Sequence, residues 1–177
     1  MKNILLLSLF ILCSLSCYAQ KKKSFYYDGI ELRNVKGWTI MPAKDASVTT
    51  ITCLLRGSFQ LQIQKADLPQ NFNAQRYLEK SIEQLIEVQM MSSGKKNIIK
   101  EIGEPMDGYI NNIPARYIDI KYNKKIVQRL YVFAMHDQLF VIQWTGSGPV
   151  NVVAKLFDVI LSTFTYYPER SPYGALM

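Results

Sequence analysis

The sequence is short of the residues from which most reactive sites are built. It has one histidine, His136, and three cysteines, two of which, Cys13 and Cys17, fall in the apolar start of the chain. One His and one remaining Cys cannot supply the usual zinc sets, so no metal site is expected. A lone Cys53 in the folded part excludes an intramolecular disulfide; inside "TITCLL" it reads as a small buried apolar residue. No Gly-x-Ser-x-Gly elbow and no comparable cysteine motif gives His136 and Asp137 a nucleophile to activate, so that pair reads as a turn. "TGSGPV" ahead of the last apolar helix could offer backbone amides to an anion. It lacks the lysine and spacing of a phosphate loop and reads as a plain loop. "DLPQN" has no calcium-loop spacing. No cofactor is expected. Repeats, low-complexity linkers and composition breaks are absent too, which leaves residues 25–167 as one folded unit.

Long apolar runs are confined to the start. Met1-Lys2-Asn3 gives a positive beginning, Ile4 to Leu15 is almost unbroken hydrocarbon, and small residues lead to Gln20 and three lysines. That order is the export-signal pattern. The apolar core falls short of the ~20 residues that cross a bilayer. A retained anchor would also set Lys21, Lys22 and Lys23 against the positive-inside bias. Cleavage after Ala19 is expected, with Ala19 and Cys17 at the positions a general signal peptidase reads. The competing reading keeps Cys17 as a lipidated first residue, a membrane-anchored lipoprotein. Ser14 stands where a lipoprotein peptidase wants an apolar side chain, which disfavours it. Residues 1–19 are thus assigned as signal peptide, 20–24 as a basic segment and 168–177 as a flexible tail, with no transmembrane span after cleavage. Leaders ending in "YAQ" resemble those of exported proteins of Bacteroidota.

Acidic residues are the scarcer sign of charge. Asp and Glu number 14 against 21 Lys and Arg, for a net charge of +7. The excess lies at Lys21–Lys23, Lys95-Lys96 and Lys124-Lys125, at one terminus and in expected loops, where charge is solvated. An exported chain rarely meets nucleic acid, and none is expected as a partner; anionic lipid or polysaccharide stays open.

What is present is alternation and one helical stripe. Short strands are expected at Phe25–Tyr27, Ile30–Leu32 and Trp38–Met41, the last stopping before Pro42. "VTTITCLL" and "FQLQIQKADL" flank Arg56-Gly57-Ser58 as a hairpin. Asn73 is a candidate N-cap for a helix to about Met91, with Leu78, Ile82, Leu85, Ile86 and Met90 at helical spacing. Strands follow near Asn97–Ile102 and Gly108–Ile110, with Asn111-Asn112 as a turn. Then "ARYIDIKYNKKIVQRLYVFAMHDQLFVIQWT" divides into three antiparallel strands at Asn123-Lys124 and His136-Asp137. If both turns hold two residues, Ile118 faces Arg129 and Arg129 faces Trp144. One sheet face then collects Ile118, Ile120, Val127, Tyr131, Phe133, Phe140, Ile142 and Trp144, and the other Leu130, Val132, Ala134, Leu139 and Val141. Both faces are apolar, so both need covers. The helix 74–91 serves one, and a second apolar helix, Val150 to about Thr163, serves the other. The expected class is α+β, an αβα sandwich with a mostly antiparallel central sheet and a helix on each face.

The order of these pieces resembles a known fold. "GWTIMP" follows an opening hairpin and "DLPQNFNAQRYLE" approaches the long helix. "GYINNIPARYIDIKY" forms a turn and strand, "LFVIQWTG" ends two long strands, and "ILSTFTYYP" closes the last helix. Over residues 25–167 this is similar to the PsbP-like family, which includes the photosystem subunit PsbP, a Ran-binding import factor and bacterial exported domains of the DcrB type. The resemblance implies a domain that binds partners or assists assembly and is not an enzyme. It carries no binding residue onto this chain.

One cluster is out of the ordinary. The register above sets Arg116, Arg129, Tyr131 and Trp144 on one face. A charge in the middle of apolar residues, as at Arg129, is costly unless paired. A cation–π contact of Arg129 on Trp144 accounts for it; a pocket for an acidic or aromatic ligand is the functional alternative. The expectation is an exported, periplasmic or secreted, non-enzymatic domain acting on a protein partner in the bacterial envelope. The alternative is a small-ligand carrier with its crevice at Arg129 and Trp144.

Overall fold

The structure is a computed structural model that describes residues 24–56, 58–91, 98–122 and 125–169. The expected export signal, Cys17, the expected basic segment before Ser24 and most of the expected tail lie outside the described residues.

The chain opens with a hairpin of β1 (Ser24–Tyr27) and β2 (Ile30–Arg33). Asp28 and Gly29 turn it with φ of 49° and 83°. A two-residue loop with both φ positive matches the right-handed twist of the flanking strands, which is why Asp-Gly is favoured there. Gly29 has a second reason to lack a side chain: a Cβ would lie 2.7 Å from the Tyr166 ring and 2.8 Å from the Tyr167 carbonyl. Those residues belong to the end of the domain. The two-residue strand β11 (Thr165–Tyr166) pairs with β2, Thr165 opposite Glu31 and Tyr166 opposite Ile30. Both ends of the described chain therefore share a three-stranded sheet, β1-β2-β11.

The remaining strands make an eight-stranded antiparallel sheet. They are β3 (Thr39–Asp45), β4 (Val48–Leu55), β5 (Phe59–Asp67), β6 (Ile99–Ile102), β7 (Met106–Ile110), β8 (Ile113–Tyr122), β9 (Ile126–Met135) and β10 (Gln138–Ser147). The order is β3-β4-β5-β10-β9-β8-β6, and β7 also lies against β8. β6 covers the second half of β8 and β7 its first half. Between them Gly103 N–H donates to the Asp119 carbonyl at 2.8 Å.

β3 runs four residues past its expected end at Met41, straight through Pro42. Proline takes a ladder position when its missing N–H faces away from a neighbour, and β3 is an edge strand. The helix α1 (Ala74–Met91) starts where expected. Asn73 Oδ1 accepts from Arg76 N–H at 3.0 Å, the N-cap bond. Its inner face packs Leu78, Tyr77 and Ile82 on Ile118, Leu130, Val132 and Leu139.

The opposite face of the sheet carries the larger core. Helix α2 (Val150–Leu161) buries Val153, Ala154, Phe157, Ile160 and Leu161 there. Phe157 stacks on Trp144 with ring centres 5.1 Å apart and planes 9° from parallel. The fit requires Gly146, where a Cβ would come within 2.6 Å of Val153 Cγ1 and 2.7 Å of Phe59 Cδ1. The small sheet closes the rest of this face with Ile30, Leu32 and Tyr166 beside Phe140 and Phe164. The fold is the α+β sandwich expected, with the β1-β2-β11 sheet adding to the helix on one side.

The His136-Asp137 turn holds two residues in the left-handed region and sets Met135 opposite Gln138, as expected. The preceding turn does not. β8 ends at Tyr122 and β9 starts at Ile126, and Lys125 stays in the connection with φ of 61°. One extra loop residue slips the register by one. Arg129 faces Asp119, not Ile118. Because strand side chains alternate, the slip turns every β8 side chain to the other face. Ile118 joins the α1 core, and Tyr117 and Asp119 come to the α2 side.

Candidate functional site

The slip explains how a charge is tolerated in mid-strand. Arg129 Nε donates to Asp119 Oδ1 at 2.6 Å and Nη2 to Asp119 Oδ2 at 2.9 Å, a two-pronged pair. Nη1 donates to the Tyr131 hydroxyl at 3.2 Å. The guanidinium carbon sits 4.2 Å from the Tyr117 ring centre, 5.4 Å from Trp144 and 5.7 Å from Tyr131. The two charged side chains are only 15% and 16% exposed. Burial alone would lower the Arg129 pKa, but the Asp119 and Tyr131 bonds outweigh it and hold the group firmly charged. Burial pushes the Tyr131 hydroxyl up, opposed by Arg129. Trp144 is fully buried, its Nε1 enclosed without a well-formed hydrogen bond beside the Tyr131 hydroxyl.

Of the four residues expected together, the structure brings three, Arg129, Tyr131 and Trp144. Arg116 does not join them. It pairs with Val132 on β9, whose side chain belongs to the α1 core, and its Nε lies 3.4 Å from Asp107. The partner that matters most, Asp119, was hidden by the assumed register. Arg129 has its carboxylate inside the protein, so its geometry is that of a structural pair between strands.

A second charged cluster ties the small sheet to the large one. Asp28, almost fully buried, receives Lys65 Nζ at 2.6 Å on Oδ2 and 2.7 Å on its own carbonyl, and the Thr49 hydroxyl on Oδ2. Lys44 approaches Oδ1 at 3.4 Å. Burial acts to raise the Asp28 pKa, but bonds from Lys65 and Thr49 prevail and leave it lowered. Cys53 is buried and its thiol pushed up to about 12 by burial, which leaves it unreactive. His136 sits in its turn with its ring 6.2 Å from Tyr166. Among the described residues no group of three His, Cys, Asp or Glu is placed to hold a metal.

One of several open clefts among the described residues lies at the end of the sheet formed by β8 and β9. A cleft of about 440 Å³ is lined by Tyr122, Ile126, Val127, Pro149 and Val150, with Lys100, Lys121 and Lys125 around it. Such a volume falls within the ~300–1,000 Å³ of small-ligand sites. Lys121 is held by Glu101 at 2.8 Å, while Lys100 and Lys125 make no ion pair among the described residues. Lys125 is tied to the segment before α2, because Gly148 N–H donates to its carbonyl at 2.8 Å. Sequence reasoning named two of the parts, "TGSGPV" and Lys124-Lys125, and read them as plain loop and solvated charge. The sheet brings Lys125 and the start of α2 to one place, while Lys124 lies outside the described residues.

No protein-family model and no curated protein matches the sequence. Among solved structures, the solution structure of cyanobacterial PsbP from Synechocystis sp. PCC 6803 superposes with a TM-score of 0.58 at 15% identity, over 84% of this chain and 96% of that one. The fold is PsbP-like. The expected family resemblance is met at the level of fold. A crystal structure from Bacteroides thetaiotaomicron is also similar, at 12% identity and a TM-score of 0.41, with this chain spanning about half of it (49%). Among the described residues no helix is long and apolar enough to cross a membrane.

Proposed function

We propose that this is an exported, non-enzymatic binding domain of the bacterial envelope, and that its ligand site is the cleft between the β8–β9 end and the start of α2. The carrying observation is the cleft itself: it is open, apolar in its walls, and bordered by two lysines that make no ion pair among the described residues. The charged groups elsewhere support the same reading. Arg129 is paired with Asp119 and Asp28 with Lys65, so these buried charges are bound to one another within the described residues. The small-ligand reading thus moves from the Arg129–Trp144 crevice, which is filled by aromatic stacking, to the sheet end.

The test uses protein isolated from its own host, from soluble and membrane fractions. Native mass spectrometry is expected to show a small molecule that is released on denaturation. A stable complex with another protein and no small molecule would point instead to an assembly partner. Release of neither, with turnover of any substrate, would overturn the reading. The same spectra give the start of the chain. A soluble species beginning at Gln20 fits the exported form, and a diacylated Cys17 the lipoprotein form.

A further inference from the structure

We infer that the ligand of the cleft is a single-chain amphiphilic carboxylate of the fatty-acid class. This rests on the cleft being a binding site at all, and it is argued from the distribution of charge and hydrocarbon within it. Val127 is buried and Ile126, Val150 and Tyr122 are half-buried, so the walls offer contact to an apolar chain, whose removal from water drives binding. Polar groups in the walls are few. An entirely polar anion, such as a sugar phosphate, would lose its hydration there with nothing to replace it.

The rim has the opposite character. Lys100, Lys121 and Lys125 face one acid, Glu101, which is committed to Lys121. Among the described residues two cations therefore stand without an ion pair at the mouth of an apolar cleft. That juxtaposition selects a ligand with one anionic head and one apolar tail. The first turn of α2, at the same mouth, contains no acidic residue and its cap position, Pro149, has no side-chain bond, so the positive end of the helix dipole adds to the same sign. A volume near the lower part of the small-ligand range matches a ligand with one chain better than one with two. A neutral alcohol of equal length would bury the same tail and leave the two lysines unmatched.

The protein from its own host, stripped of bound lipid on a hydrophobic resin, is titrated calorimetrically with dodecanoate, dodecanol and acetate below micelle-forming concentrations. Dodecanoate is expected to bind at least tenfold more tightly than dodecanol, with acetate undetectable. Amide NMR shifts are expected to concentrate at Lys125, Val127, Gly148 and Val150. The variant Lys100→Glu/Lys125→Glu, at two exposed positions that leave the core untouched, is expected to weaken dodecanoate at least tenfold and dodecanol little. Equal binding of dodecanoate by both proteins, or shifts located elsewhere, overturns the inference. Native spectra separate its failure from that of the wider reading. A neutral or cationic molecule released from the host protein overturns the carboxylate class while the cleft remains a site. No released molecule together with no dodecanoate binding overturns both.

Discussion

Removing the carboxylate of Asp119 tests whether Arg129 is held as a structural pair. In Asp119→Ala the guanidinium stays in place at 15% exposure with two of its donors unanswered. Hydrogen bonds to charged groups are worth about 1.5–3 kcal/mol each, though two to one carboxylate do not add in full. Breaking a buried pair from one side costs about 3–5 kcal/mol. Here the Tyr131 hydroxyl and the Tyr117 ring keep some hold on the cation, and water has partial access, so the expected loss is about 3 kcal/mol. For a domain of this size that lowers Tm by about 6–12 °C. Urea unfolding, with the m-value unchanged, measures the loss directly. Arg129→Met should also destabilise. The double variant Asp119→Leu/Arg129→Met should come back to within about 1 kcal/mol of the parent, since apolar replacement of a whole buried pair is near neutral. The reasoning is refuted if Asp119→Ala changes stability by less than about 0.5 kcal/mol, the level of an ordinary surface change. Strict additivity of the two substitutions would refute it equally.

Two other predictions concern the seams of the fold. The lowered Asp28 pKa means that its ionised form stabilises the folded state at pH values above the unfolded value of about 3.9, and that this contribution fades as pH falls through the lower folded value. Asp28→Asn, which tolerates the same positive φ, should therefore destabilise at neutral pH, with the gap to the parent narrowing in urea titrations below about pH 4. A gap independent of pH would show that the charge is not what Lys65 holds. Gly146→Ala forces a Cβ onto Val153 and Phe59 and should cost about 2 kcal/mol by pushing α2 off the sheet, read as a lower urea midpoint; an unchanged midpoint would mean the helix shifts freely.

Much of this fold is local, and the local parts were legible. Alternation in "FQLQIQ", the Asn73 cap, the opening hairpin, the His-Asp turn and two apolar faces needing two covers each follow from short-range rules. What the sequence hid depends on counting across a loop. Whether Lys125 belongs to the turn or to β9 is decided by one residue's φ, and apolar residues on both faces of β8 gave no pattern to choose the register. That single residue relocated Ile118 and Arg116 and concealed Asp119 as the partner of Arg129. Pro42 misled for a different reason: it ends central strands but not edge strands, and edge position is a property of the whole sheet. β11 is two residues long, too short for any periodicity. The cleft was out of reach for a similar cause, since Lys100, Lys125 and Val150 are neighbours only after β6, β9 and α2 are in place.

The pairing of β11 with β2 also sets an order in time. Ile30 and Tyr166 are partners across almost the full described chain, so the ring they close encloses nearly everything else. Closing so long a loop carries a large entropic penalty unless its contents are already folded, and contacts this distant in sequence slow folding. The first hairpin made is thus the last to be fastened. Until Thr165 and Tyr166 have emerged and the large sheet has formed, β2 has an open edge and Asp28 has no Lys65 beside it. A nascent or threaded chain would carry its beginning unlatched until its end arrived, a delay useful to any protein that must stay unfolded while it travels.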